Sequence, residues 1–378
     1  MARLKILDKT PAARGFTFPA EWARQEATWF SWPRPEGISF PGKYRTVPAN
    51  IGAILREITP RQKVYINVPN ENWEHIVREQ LSYLGVDLKR VRFFHIPTNE
   101  SWCRDHGPAF VVNAKGQRAV VDWGFNAWGG KYPPYDADDR VPTEIAKAFE
   151  LPVFYPIRGA RGAGVSPASN KSGGRDAHPT CVIMEGGAVE FNGAGTVLTT
   201  TDCLLNKNRN PDLGKAQIEQ YLRDYYGQQH VAWLTGGIEG DDTDGHVDDL
   251  ARFLSPTKLV MGVEDDPRDA NYKVLQSARK QAAKLRDQGG RPFEIVEIPM
   301  PAAVEHDGQR LPATYVNFLF INKALLVPTF GPSKTDRRAL AILQEHLPKH
   351  QVIGIDCREL IWGLGAIHCL TQQMPAGR

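Results

Sequence analysis

The sequence predicts an α/β protein: a strand–hairpin–helix–strand unit used five times and closed on itself as a pseudo-five-fold α/β propeller, one domain over residues 1–378. Three observations lead there. Amphipathic helical stretches are each followed by a short apolar strand. Pairs of apolar runs about a polar turn, the mark of hairpins, lie between them. The middle residues of the post-helix strands, Val91, Val153, Val231, Ile295 and Val352, recur roughly every sixty residues, and a repeated unit buries its apolar face by stacking on its neighbours. Five such units close most simply as a ring.

In chain order, residues 1–17 read as a loose N-terminal segment. The aromatic, proline-rich stretch from Phe18 through Trp29 and Trp32 reads as irregular structure packed on a surface. Periodicity then predicts helices over 72–84, 143–149, 215–226, 269–285 and 335–347. The strands that follow them are 91–96, 152–157, 230–234, 293–298 and 351–355, with Gly or Pro at most junctions. The predicted hairpins pair 110–113 with 119–123, 188–191 with 196–199, 250–254 with 258–262, and 315–320 with 324–328. One interval is longer than the rest because of 159–179, rich in Gly, Ser, Arg and Pro, which reads as a flexible surface insertion or a lid that orders over substrate.

Composition narrows the function classes. With 42% hydrophobic and 24% charged residues the chain can build a substantial core. Its net charge is only +3 and its Lys and Arg are scattered along the sequence, so neither nucleic acid nor an anionic membrane is expected as a partner. Five widely spaced cysteines without a Cys-x-x-Cys pair fit free thiols in a reducing compartment better than disulfides or a zinc site. The charged N-terminus contains no signal-peptide apolar run and no stretch approaches a membrane span, so a cytoplasmic location is expected.

Unusual residues collect in the polar stretches after the post-helix strands: Trp102-Cys103-Arg104-Asp105-His106, Glu185-Gly186-Gly187, Gly240 to Asp248, and Gly363-Leu364-Gly365-Ala366-Ile367-His368-Cys369. In a closed ring these strand ends share one axial face, so Asp105, Glu185, Asp242, His246 and Cys369 would converge. Cys369 follows a Gly-x-Gly turn that allows close approach. A Cys–His pair suggests nucleophilic attack with acid/base help. Carboxylates beside a thiol raise its pKa, a poor arrangement for attacking an amide or ester. They make sense for a cationic substrate such as a guanidinium, which pairs bidentately with carboxylates and carries an electrophilic central carbon. The alternative for any one of the acids around 241–248 is a turn cap. His106 and His368 read as local hydrogen-bonding residues.

At these residues the chain resembles the agmatine deiminase family, a branch of the guanidine-modifying enzymes with the five-bladed pentein fold. The motifs are Glu21-Trp22 with Glu26-Ala27-Thr28-Trp29, Trp102-x-Arg-Asp-x-Gly-Pro, Asp122-Trp-Gly-Phe-Asn-Ala-Trp-Gly-Gly, Glu185-Gly-Gly, Thr199-Thr-Thr-Asp-Cys-Leu-Leu-Asn, Gly240-Asp-Asp-Thr-Asp-Gly-His-Val-Asp and Ile367-His-Cys-Leu-Thr-Gln-Gln. They span nearly the whole chain in order. The resemblance implies hydrolysis of agmatine to N-carbamoylputrescine and ammonia through a covalent S-alkylthiouronium intermediate, feeding putrescine synthesis. It makes Cys369 the nucleophile, Asp105 and Asp242 the grip on the guanidinium nitrogens, and His246, held or assisted by Glu185, the acid and then the base. Trp102 would line the pocket and Arg104 would buttress Asp105. No metal or organic cofactor is implied, and a homodimer or higher homo-oligomer is. Leu364 and Ala366 depart from the family's glycine and asparagine beside the nucleophile, which leaves the substrate tail open. Peptidyl-arginine or a modified arginine remains an alternative substrate, and a non-catalytic binding propeller the alternative class.

Overall fold

The structure, a computed structural model, describes residues 4–159 and 181–377. Most of the 159–179 insertion lies outside the described residues. The chain begins with strands β1 (Phe16–Thr17) and β2 (Gln25–Ser31), helix α1 (Val47–Ile58), β3 (Lys63–Val68), α2 (Glu71–Tyr83) and β4 (Val91–His95). Next come α3 (Cys103–His106), β5 (Ala109–Asn113), β6 (Arg118–Val121), α4 (Ala127–Gly130), α5 (Val141–Ala148) and β7 (Val153–Phe154). The third stretch holds β8 (Val189–Phe191), β9 (Thr196–Thr200), α6 (Thr201–Leu204), α7 (Lys215–Tyr226) and β10 (His230–Leu234). The fourth holds β11 (Ala251–Ser255), β12 (Lys258–Val263), α8 (Tyr272–Ala282) and β13 (Glu294–Pro299), followed by the small hairpin β14 (Glu305–His306) and β15 (Gln309–Arg310). The chain ends with β16 (Leu319–Ile321), β17 (Ala324–Thr329), α9 (Lys334–His346), β18 (Gln351–Asp356) and β19 (Thr371–Pro375).

Local chemistry sets the helix ends. The Asn70 side chain accepts the Trp73 N–H at the start of α2, and Glu71 and Glu74 sit in its first turn, where the helix dipole favours acids. Ser333 and Asp336 form a capping box at α9, and Pro48 opens α1. Along α1 the buried Val47, Ile51, Ile54, Leu55 and Ile58 recur at helical spacing on one face.

Four sheets share one construction. An antiparallel hairpin is followed by a helix and a strand parallel to its second arm: β5–β6 with β7, β8–β9 with β10, β11–β12 with β13, and β16–β17 with β18. Apart from the two-stranded β14-β15 sheet, the remaining sheet runs β19-β2-β3-β4. Its hairpin-like pair joins the two ends of the chain, with Gln372 opposite Trp29. Successive strand residues face opposite cores. Ile66 packs with Leu319 and Leu326, whereas Tyr65 packs with Phe110 and Val153. Further clusters join Val121 to Val197, Leu198 to Leu259, and Val260 to Leu325. Each of these five clusters therefore links one sheet to the next, and the order is cyclic.

The α/β class and the repeated unit are those the sequence predicts, and so are the five later helices to within a few residues. Three expectations are corrected. The stretch read as irregular contains β2, whose Ala27, Trp29 and Phe30 are almost wholly buried. A strand covered on both faces shows no polar alternation to reveal it. The loose segment ends in β1, where Phe16 is buried and pairs with Asn113. The strand expected over 315–320 is confined to Leu319–Ile321, because residues 315–317 form a turn and bend instead of pairing.

His106 of α3 lies against β2, its Nε2 2.9 Å from Ser31 Oγ and its Nδ1 3.6 Å from Asp138 Oδ1. Burial pulls its pKa down to about 3. An unfolded histidine titrates near 6.5, so between those values the unfolded chain binds a proton that the native state refuses. Stability should therefore fall as pH drops from about 6.5 toward 3, by up to about 1.4 kcal/mol per unit. Urea midpoints measured across this window should show a shallower acid slope for His106→Asn; equal slopes would remove the assignment.

Candidate active site

Every repeated unit sends a polar group to one place. Asp105 comes from α3, Glu185 from the stretch before β8, and His246 and Asp248 from the loop after β10. Asn317 precedes β16, and Cys369 stands two residues before β19. His246 Nδ1 is 3.8 Å from Asp105 Oδ1 and 3.9 Å from Asp248 Oδ1, and its Nε2 is 3.9 Å from Glu185 Oε2. Cys369 Sγ is 3.1 Å from Asn317 Nδ2 and 3.9 Å from Asp248 Oδ2.

Each of these groups is held from behind. Asp105 accepts hydrogen bonds from Trp128 Nε1 at 3.0 Å and from the Gly187 N–H at 2.9 Å. Arg209 Nε donates to Glu185 Oε1 at 2.7 Å, both side chains being fully enclosed. His368 Nδ1 lies 2.6 Å from Asp248 Oδ2, whereas Asp248 Oδ1 is buried without a hydrogen-bond partner. The Glu185-Gly-Gly motif has a packing reason. A Cβ on Gly187 would stand 2.6 Å from His246 Nδ1 and 2.9 Å from Asp105 Oδ1. Only glycine lets the imidazole and the carboxylate meet there.

Burial and the charges of Asp248, Asp249 and Asp105 push the Cys369 thiol well above its ordinary pKa. Burial also raises Asp105, with the charges of Asp248 and Glu185 adding to it against the pull of His246. Burial pulls His246 down, but Asp105, Cys203 and Glu185 outweigh it and hold the imidazole well above its usual range. Burial opposes ionisation of Glu185, yet Arg209 and His246 keep it below the carboxylate norm. These shifts favour a neutral thiol and a charged imidazole at rest. A cation placed among the acids is what would turn the thiol into a thiolate.

Cys369 and Asp105 open into a cavity of about 220 Å³ that is also walled by Trp102, Trp128, Asp242 and Glu100. No Lys or Arg lines it among the described residues. Trp102 is steered by its Nε1 hydrogen bond to Ser39 Oγ at 2.7 Å and packs on Phe40. Asp242 is half-buried, hydrogen-bonded by the Tyr132 hydroxyl on the cavity wall, and burial raises its pKa. Leu364 also lines the cavity and holds the left-handed backbone (φ 67°) that glycine favours.

Of the residues expected from sequence, Asp105, Glu185 and His246 adjoin one another, and Cys369, Trp102 and Asp242 share the cavity with Asp105. Arg104 differs from expectation. Its guanidinium binds Glu21, Gln372 and Gln373 beneath the Cys369 segment, so it secures β19 rather than the Asp105 carboxylate. Sequence reasoning missed Asp248, Asn317 and Arg209 as parts of the site. Asp248 stands two residues after His246 in a motif already noted, and Asn317 is a lone amide in an apolar run, which was a usable signal. Nothing local marks Arg209.

Five sheet units in cyclic order, with a thiol, an imidazole and several carboxylates gathered from successive units, define a guanidine-modifying class of α/β enzyme. The chain belongs to the Porphyromonas-type peptidyl-arginine deiminase family, whose profile matches residues 17–375. It is 35% identical to the agmatine deiminase of Pseudomonas fluorescens over 99% of both chains, and 36% identical to that of Pseudomonas aeruginosa over 98% of both. Among solved structures it is similar to the agmatine deiminase of Enterococcus faecalis, with TM-score 0.85, 30% identity, and 99% of this chain and 100% of that one covered. A substrate-bound agmatine deiminase of C. jejuni gives TM-score 0.81 at 31% identity, covering 96% of this chain and 97% of that one.

Gly187→Ala should separate His246 from Asp105 and cost roughly 1–3 kcal/mol of stability, as overpacking does. Urea denaturation would read this, and an unchanged midpoint would count against the packing reason given for the glycine.

Proposed function

We propose that the chain hydrolyses agmatine to N-carbamoylputrescine and ammonia. The observation that carries this reading is the cavity, which has a thiol, three carboxylates (Glu100, Asp105 and Asp242) and no basic residue among the described lining. Agmatine is a dication and suits such a wall. Free arginine would bring an α-carboxylate with no cation to meet it, and burying an unpaired charge is costly. The agmatine deiminases among its relatives support the same substrate.

In this mechanism the guanidinium lies flat beside Trp102 and Trp128, and its N–H groups donate to Asp105 and to Asp248. Asp248 takes the role first expected of Asp242, because its Oδ1 is fully buried and lacks a partner that a guanidinium N–H would supply. Asp242 then faces the remainder of the cation. The substrate charge lowers the Cys369 pKa, the thiol proton passes to solvent, and the thiolate attacks the guanidinium carbon to give a tetrahedral adduct. The His246 imidazolium, oriented by Glu185, protonates the departing nitrogen and ammonia leaves. The neutral imidazole then takes a proton from water, and the resulting hydroxide attacks the thiouronium carbon. Collapse of that adduct releases the ureido product and regenerates the thiol and the imidazolium. We place the protein in the cytoplasm as a homo-oligomer feeding putrescine synthesis, on the family resemblance. Among the described residues no helix is long and apolar enough to cross a membrane.

Purified protein incubated separately with agmatine, arginine and a peptidyl-arginine should release ammonia from agmatine with kcat/KM higher by on the order of 100-fold or more, the penalty of an unpaired buried carboxylate. Preference for peptidyl-arginine would replace the substrate, and no turnover of any guanidine would favour the binding module. Cys369→Ala should abolish turnover, and normal activity in it defeats the covalent route. Asp248→Asn removes a charge-assisted hydrogen bond, so KM for agmatine should rise by about 10- to 100-fold; an unchanged KM would return the guanidinium grip to Asp242.

A further inference from the structure

We propose that Glu185, Cys203 and His246 form a binding site for a thiophilic divalent cation of the zinc class, through which such a metal arrests the enzyme. Cys203 lies in the short helix α6, where its own N–H donates to Thr200 Oγ1 and its side chain is fully buried. Its Sγ is 3.8 Å from Glu185 Oε2, which in turn is 3.9 Å from His246 Nε2. The three donor atoms all lie within 4.8 Å of one another. A point between corners separated by such distances is about 2.3 Å from each, close to the bond lengths zinc makes with sulfur, nitrogen and carboxylate oxygen.

Two further observations point to a ligand. His246 Nε2 is buried and has no hydrogen-bond partner, although it faces Glu185 Oε2. Arg209 occupies Glu185 Oε1 and leaves Oε2 for another charge. One nitrogen, one sulfur and one oxygen are a donor set that zinc accepts. On binding, the thiol proton and any proton on Nε2 pass to solvent, and thiolate and carboxylate together neutralise the ion. Cations would be drawn in through the carboxylate-walled cavity, which Asp105 links to His246 at 3.8 Å.

A second cluster, Asp248, Asp249 and Cys369, is equally compact. There the Asn317 amide already donates to Cys369 Sγ and to Asp249 at 2.9 Å, so a cation would meet N–H groups rather than lone pairs. At the Cys203 site the protons that face inward belong to the ligands themselves, the Cys203 thiol on Glu185 Oε2 and the charged imidazole, and a bound metal displaces them. Cys203 does not line the substrate cavity and would not touch the substrate, acting on the site only through His246 and Glu185. Metal held there would engage the His246 lone pair and the Glu185 carboxylate, removing the acid/base pair while leaving Cys369 untouched. This inhibitory consequence rests on the proposed function, but the binding itself does not.

The test is titration of metal-free protein with Zn²⁺ against a chromophoric chelator, and with Co²⁺ while following the thiolate-to-cobalt charge-transfer band. Wild type and Cys369→Ala should both bind a single equivalent of zinc and develop the band. Cys203→Ala should bind zinc weaker by on the order of 100-fold, at least what loss of a supporting group costs a metal site. It should show no band, and the agmatine turnover it retains should resist zinc. Zinc binding that survives Cys203→Ala, that is lost in Cys369→Ala, or that is absent from wild type overturns the proposal. If circular dichroism shows that Cys203→Ala is unfolded, Cys203→Ser, which keeps the side-chain size without the thiolate, is read by the same criteria. A wild type that binds zinc but leaves agmatine untouched defeats the proposed function and not the site.

Discussion

Burying carboxylates at the centre of the ring is the constraint on which the rest depends. Glu21, Asp105, Glu185, Glu190, Asp248 and Asp249 are all nearly inaccessible to solvent, and charge in that setting persists only if it is paired or hydrogen-bonded. Permanent cations meet part of the demand. Arg104 and Arg252 hold Glu21, Arg252 also holds Glu190 at 2.8 Å, and Arg209 holds Glu185. Asp105 and Asp248 have no arginine. They rely on His246, His368, an indole and a backbone N–H, which leaves room for one more positive charge beside Cys369. In the proposed reaction a cationic substrate would supply it and lower the thiol pKa in the same act.

The topology is what makes this concentration of charge possible. A single sheet would spread these residues along one edge, whereas a cycle of sheets turns five separate polar stretches toward a common centre. Closure by β19 and β2 is part of the site as well as of the fold. It brings Cys369 over α3, where the Arg104 N–H donates to the Cys369 carbonyl at 3.1 Å. The arginine side chain then grips Gln372 and Gln373 on β19 from below. Loosening the chain ends would therefore move Cys369 as well as open the ring.

The turn before Cys369 shows how a family departure is absorbed. Leu364 keeps the positive φ of the turn at a cost of about 1 kcal/mol, the usual penalty for a side chain in that region. Its side chain packs with Leu311, Ile361 and Ala366 and forms part of the cavity wall. Leu364 thus adds apolar surface to the wall of the cavity onto which Cys369 opens.

By itself the sequence determined the α/β class, the repeated unit and most of its helices and hairpins, because turn residues and apolar periodicity act over a few positions. It also placed Asp105, Glu185, His246 and Cys369 in the candidate site, since those residue types in those motifs have a shared chemistry. Only the tertiary structure decided that β2 is a central strand, because burial on both faces erases the alternation that would announce it. The same holds for Asp248 over Asp242 beside the imidazole, for Asn317 against the thiol and for Arg209 behind Glu185. These depend on which atoms from distant units come within a few ångströms, and that distance is set by how the sheets close on one another rather than by any local pattern of residues.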